Sequence, residues 1–351
     1  MDFPWLVAPL RRFVPRDVDL PHALLLTGPA GIGKRILATA IARTLLCEAE
    51  AADRVPGGCG ACSSCHWFDE GNHPDFRLVT TEVLALESGT GSTDADVDEE
   101  GGAKSKRAPS KEIKVDQIRS LFDFLVVATH RGHRRVVQIQ PLDAMNEVAS
   151  NALLKMLEEP PVHTIFIACT DHPGRIAPTV RSRCQVVAVA GPMESEAIAW
   201  LEAAGVAAAR DALAAAGGAP LTALAAANDD DARSSRDALL SFLARPDPDG
   251  ALELADSFAK GNADAVTGWI QQWLADCTTA RLAGRVRYHP ARFRSIAELV
   301  RDVPSGRLMD FSQRLASVRR TIDHPLNQRL MFESLFLAYC DAVRKPTASA
   351  R

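Results

Sequence analysis

At 351 residues the chain is too long for one compact core, and ordinary domain sizes suggest two or three domains. Hydrophobic residues make up 47% and charged ones 24%, which excludes a disordered chain, and the net charge of −4 projects no positive field, so autonomous DNA binding is not indicated. Met1-Asp2-Phe3-Pro4-Trp5 lacks a basic flank followed by an apolar stretch, and no apolar run approaches a bilayer's thickness; the expectation is a cytoplasmic protein without membrane contact.

Apolar Ala23-Leu24-Leu25-Leu26 runs into glycine-rich Gly28 to Gly33, and Ile36, Leu37, Ile41, Thr44 and Leu45 then share one side of a helix. A second apolar run, Val136 to Ile139, predicts a strand leading into an amphipathic helix over Val148 to Glu158, which Pro160-Pro161 terminates. Ile165 to Ala168 reads as a third strand. Strands alternating with helices predict a mostly parallel sheet with helices on both faces, an α/β domain over residues 1–191.

Inside it, residues 88–111 are rich in Gly, Ser, Thr and acidic side chains, turn basic at Lys104, Lys106 and Arg107, and offer almost nothing to bury. They predict a disordered surface insertion, either an inert loop or a regulatory, partner-binding one. From residue 192 the chain is alanine-rich, with Gly217-Gly218-Ala219-Pro220 as a helix stop and restart, which predicts a small helical domain over 192–232. Residues 233–351 read as an all-helical third domain: Trp269, Ile270, Trp273 and Leu274 mark one amphipathic helix, and Leu308, Phe311, Leu315, Val318 and Ile322 recur at helical spacing on another.

Gly28-Pro29-Ala30-Gly31-Ile32-Gly33-Lys34 has phosphate-loop spacing, in which backbone N–H groups and a helix N-terminus cradle phosphate and the lysine supplies charge. The next residue should carry a hydroxyl for magnesium, but it is Arg35, which donates hydrogen bonds and cannot ligate a cation. The second strand should end in an acidic pair, but Gln140-Pro141 follows Ile139, and Asp143 lies beyond the proline. The loop is then either a relic that closes the strand–helix turn or a site that binds ATP or ADP without turnover.

Cys59, Cys62 and Cys65 form C-x2-C-x2-C, and Cys47 stands at the end of the preceding predicted helix. Four thiolates suit tetrahedral zinc, and Pro56-Gly57-Gly58 and Gly60 allow the sharp turns that let sulfurs converge; His66 could replace one ligand. The other reading is free thiols that lie near one another. A zinc-dependent nucleic-acid-binding module would want a basic patch here, whereas Trp67 to Asp75 is mixed and acidic. Cys169, Cys184, Cys277 and Cys340 sit singly in apolar or helical contexts and are expected to pack.

Asn151-Ala152-Leu153-Leu154-Lys155-Met156-Leu157-Glu158-Glu159-Pro160-Pro161 resembles the helix-ending signature of clamp-loader subunits, and Arg181-Ser182-Arg183-Cys184 resembles their Ser-Arg-Cys motif. With His73-Pro74-Asp75, Val115-Asp116-Gln117-Ile118-Arg119 and His324-Pro325-Leu326-Asn327, the chain is similar to the clamp-loader branch of the AAA+ family from its start to about residue 340. The resemblance implies an AAA+-type (RecA-like) α/β domain, a small helical lid and an all-α collar. Where motor subunits of that family carry an arginine that senses nucleotide, this chain has Gly218-Ala219-Pro220-Leu221. A subunit without intrinsic ATPase is implied, with an active motor subunit as the rival. The implied partners are gamma/tau-type motor subunits and the delta subunit in a hetero-pentamer, and through it the sliding clamp and primed DNA, as part of the DNA polymerase III holoenzyme. Arg183 is implied to act as an arginine finger on a neighbour's ATP.

Overall fold

The computed structural model describes residues 3–13, 20–50, 55–89, 109–127, 129, 134–322 and 327–344. The chain divides into two compact units, Met1–Pro192 and Met193–Arg351. The first unit runs α1 (Pro4–Arg11), β1 (Ala23–Thr27), α2 (Lys34–Leu46), α3 (Ser63–Asp69), β2 (Phe76–Thr80), α4 (Glu82–Glu87), α5 (Val115–Val126), β3 (Arg135–Gln140), α6 (Glu147–Glu158), β4 (Thr164–Thr170), α7 (Pro178–Arg181) and β5 (Gln185–Ala188).

The strands pair in parallel in the order β2-β3-β4-β1-β5. β1, β3 and β4 are buried along their whole length. Covered on both faces, such strands need no polar alternation, which is why they show as apolar runs in the sequence. β2 and β5 form the edges and are partly exposed, so neither carries a continuous run.

On one face Leu25, Val137, Ile139, Phe166 and Ala168 pack with Ile118 and Leu121 of α5, Leu153 and Met156 of α6 and Val180 of α7. Each such side chain contributes about 1.5–3 kcal/mol relative to an exposed one. Residues of the opposite parity meet α2: Gln138 bonds Thr39, and Cys169 lies 3.7 Å from the Lys34 carbonyl. Because every strand is parallel, the Gly28–Gly33 loop after β1, Gln140 at the end of β3 and Asp171 after β4 lie at one edge of the sheet, where ligands bind in open α/β folds.

Most of the expected insertion, residues 90–108, lies outside the described residues. Its flanks are joined: the Ser110 N–H donates to Glu82 Oε2 at 2.8 Å and Lys114 Nζ pairs with Glu82 Oε1 at 2.5 Å. A loop whose ends are already held together tolerates extra length at small entropic cost.

The second unit is helical: α8 (Glu194–Ala203), α9 (Ala209–Ala215), α10 (Pro220–Ala227), α11 (Asp230–Ala244), α12 (Pro248–Ser257), α13 (Ala263–Ala283), α14 (Phe293–Val300), α15 (Ser305–Arg320) and α16 (Gln328–Val343). α8 to α10 enclose a small core of Ala197, Leu201, Val206, Leu213 and Ala223, and α11 to α16 a larger one around Trp273, Phe332, Phe336 and Tyr339. Gly217 and Gly218, both at positive φ, stop α9, and Pro220 opens α10. Of the predicted α15 face, Leu308, Phe311 and Leu315 are buried and Val318 half-buried, while the helix ends at Arg320, before Ile322. Asn327 caps α16, and His324, Pro325 and Leu326 lie outside the described residues. No helix among the described residues is long and apolar enough to cross a membrane.

Candidate functional site

Cys47 is the C-cap of α2 and Cys62 the N-cap of α3, so two helix ends deliver two of the sulfurs. Cys59 comes from the turn between them, where Gly57, Gly58 and Gly60 all have positive φ. A side chain at Gly58 would place its Cβ 2.9 Å from Cys65 Sγ, so that glycine is required by space as well as by conformation. The four sulfurs lie within 4.8 Å of one another, with Cys47–Cys62 and Cys59–Cys65 at 4.0 Å. Zinc with sulfur at about 2.3 Å in a tetrahedron needs sulfurs about 3.8 Å apart. The cluster therefore fits such an ion after a small contraction, and it brings together all four predicted cysteines. His66 is turned outward against Glu70 at 3.3 Å.

Backbone N–H groups aim at the sulfurs: Cys59 to Cys47 Sγ at 3.3 Å, Cys62 to Cys59 Sγ at 3.3 Å and Cys65 to Cys62 Sγ at 3.4 Å. The Ala61 and Cys62 N–H groups pull the Cys59 thiol down to about 6, whereas burial pushes Cys65 up to about 12. A bound dication would hold both as thiolates. Arg43 clamps the module, its Nε and Nη2 donating to Asp69 at 2.8 and 2.7 Å and its Nη1 to the Gly57 carbonyl. Ser64 Oγ donates to the Leu46 carbonyl at 2.5 Å and meets His73 Nε2 at 2.6 Å, while His73 Nδ1 accepts from the Asp75 N–H at 3.0 Å. The His-Pro-Asp segment thus ties α3 to the start of β2.

At the glycine loop, Gly28, Gly31 and Gly33 take positive φ, and Lys34 opens α2. The lysine is only 4% exposed: its Nζ bonds the Pro29 carbonyl and pairs with Asp171 Oδ1 at 2.5 Å. α1 covers the same loop. Trp5 Nε1 donates to the Ile32 carbonyl at 2.8 Å, and a Cβ on Gly33 would stand 2.8 Å from Leu6. Arg35 is exposed and has no acceptor atom, and β3 carries no carboxylate, so neither offers a magnesium ligand. Gln140 accepts from Gln138 Nε2 at 2.8 Å, and Asp143 accepts from Thr170 Oγ1 at 2.6 Å. Lys34, Gln140 and Asp143 are therefore each engaged with a neighbour at this edge.

Arg183 lies in the turn after α7. Its Nη2 pairs with Glu158 Oε1 at 2.6 Å, and its Nη1 donates to the Thr179 carbonyl at 2.9 Å and to Ser182 Oγ at 3.4 Å. Cys184 beside it is half-buried, and burial pushes its thiol up to about 11. Like Cys169 and Cys277, it packs rather than reacts.

The sequence model described as DNA polymerase III, delta subunit, matches residues 12–192, just over half of the chain, and the one described as DNA polymerase III, delta subunit, C terminal, matches residues 230–339. DNA polymerase III subunit delta' of Escherichia coli (strain K12) is 32% identical over 260 residues, covering 73% of this chain and 69% of that one. The chain belongs to the DNA polymerase III delta-prime family. The delta' subunit of Pseudomonas aeruginosa is 38% identical over 206 residues, a match covering 58% of this chain and 54% of the relative, about half its length. DNA polymerase III subunit tau of Salmonella typhimurium is 26% identical over 354 residues, 90% of this chain and 49% of that one.

In this delta-prime family member, sequence reasoning missed Asp171 as the counter-ion of Lys34 and Glu158 as the partner of Arg183. Both had a signal: Asp171 directly follows the third predicted strand at the edge where the loop sits, and Glu158 stands inside the motif already singled out. Arg43 had one too, one helical turn before Cys47.

Proposed function

We propose that the chain serves DNA replication as a clamp-loader subunit with no ATPase chemistry of its own, standing beside gamma/tau-type motor subunits and delta in a pentamer that opens a sliding clamp and places it on primed DNA. Cys47, Cys59, Cys62 and Cys65 would hold zinc as a closed structural site, which supplies folding energy rather than catalysis. The observation that carries the reading is the disarmed loop: Gly28, Gly31 and Gly33 keep their shape, but Lys34 is paired with Asp171 and the magnesium-binding groups are replaced by Arg35 and Gln140. ATP or ADP binding without hydrolysis is compatible with it.

Arg183 contributes the chemistry in trans. A guanidinium stabilises charge that develops on the phosphates of an ATP bound to the neighbour, and arginine is suited to this because its planar fork matches phosphate oxygens. The test is phosphate release. The isolated chain should stay at background, and in the reconstituted complex Arg183→Ala should slow hydrolysis at the one adjoining site by roughly 10³-fold. Turnover by the isolated chain that Lys34→Ala abolishes would establish the motor reading instead.

A further inference from the structure

We infer that Glu158 is a positioning residue for Arg183, holding the guanidinium where it can meet a phosphate on a neighbouring subunit; the inference rests on the reading of Arg183 as a group acting in trans. α6 ends at Glu158, with Glu159 as its C-cap. A carboxylate there faces the negative end of the helix dipole, where a cation would be favoured, so helix stability does not explain it. Its Oε1 accepts from Arg183 Nη2 at 2.6 Å.

The other two contacts of the guanidinium, to the Thr179 carbonyl and Ser182 Oγ, come from α7 and the turn that ends it, the segment that carries Arg183 itself. Among the described residues Glu158 is thus the one partner that comes from outside this segment and the one that bears charge. These three contacts use the Nη atoms, and Nε has no acceptor among the described residues. Arginine has five N–H donors, so an edge of the fork remains for a phosphate, and the side chain is 35% exposed.

Exposed ion pairs add little to stability. What the pair does provide is order. A free arginine side chain would have to surrender its rotamer freedom on reaching a phosphate, and one already gripped at both Nη atoms has less to lose. The arginine remains charged beside the carboxylate, so its electrostatic function is intact.

The experiment is single-site ATP hydrolysis by the reconstituted clamp loader carrying Glu158→Gln, Glu158→Asp, Arg183→Ala, or Glu158→Gln with Arg183→Ala. Glu158→Gln should lower kcat at the adjoining site roughly 10- to 100-fold, the scale of a misplaced catalytic group, with KM for ATP little changed. Glu158→Asp should recover part of the loss, and the double variant should be no slower than Arg183→Ala alone. Size-exclusion chromatography and a thermal melt establish that each complex assembles. An unchanged kcat for Glu158→Gln beside a slow Arg183→Ala overturns the positioning role and leaves the finger standing, as do losses that multiply in the double variant. An Arg183→Ala complex of normal rate overturns both.

Discussion

At the residue scale, Lys34 shows how a motif can keep its spacing while its charge is already satisfied. The ammonium is almost wholly buried and paired with Asp171 at 2.5 Å. Removing only the carboxylate leaves a buried charge short of a partner, the costly half of breaking an ion pair. Asp171→Ala should destabilise the first unit by about 1–3 kcal/mol in urea unfolding. Adding Lys34→Met, which keeps the stem and discards the charge, should restore most of it; equal losses in the single and double variants would show that the pair is not coupled. The glycine loop was legible because its spacing is local. Asp171 was legible only as an acid after a predicted strand; its pairing with Lys34 was not, because only the sheet brings the end of β4 beside the end of β1.

At the element scale, the segment between α13 and α14 is moored to a carboxylate inside a helix. Asp276 is fully buried and accepts from the N–H groups of Arg287, Tyr288 and His289 at 2.7, 3.0 and 2.8 Å and from His289 Nδ1 at 2.9 Å. With Nδ1–H given to Asp276, Nε2 is left to accept from Arg236 Nη2 at 3.1 Å, so a neutral imidazole satisfies both neighbours. Burial foremost, with Arg236 and Arg292 close by, holds His289 below its ordinary 6.5 despite the Asp276 bond. Burial also pushes the Asp276 carboxyl up, but its hydrogen bonds outweigh this and keep it below the usual carboxylate range.

The sign follows from where each proton goes. As pH falls through about 6.5 the unfolded chain takes up a proton at His289 that the folded chain refuses, so stability present above that pH is lost below it, by at most about 1.4 kcal/mol per pH unit. Asp276 loses its contribution only in stronger acid. Urea unfolding between about pH 8 and pH 5 should show this slope, and His289→Asn should flatten it; an unaltered slope would remove His289 from the account. The amphipathic pattern around Trp269, Trp273 and Leu274 gave away α13 but not this role. A buried aspartate breaks that pattern, and its partners lie in a loop that no periodicity marks.

At the scale of the whole molecule, each unit has its own core. Zinc binding by the cysteines should therefore stabilise the first unit alone. Elemental analysis should find one zinc per chain. Cys62→Ser or a chelator should speed amide exchange in the first unit while α13 and α16 keep their protection. Protein purified without metal, or equal losses in both units, would refute the assignment. Parallel topology was legible from the buried runs, since a central strand announces itself by composition. The edge strands were not, because Arg77 and Gln185 dilute their apolar character.

α2 carries the glycine loop at one end and Cys47 at the other. Its 13 residues make a rod about 20 Å long, too short and too well packed to bend between its ends. The cysteine turn and the glycine loop are thus two stations on a single axle, spaced by one helix rather than by the packing of separate elements.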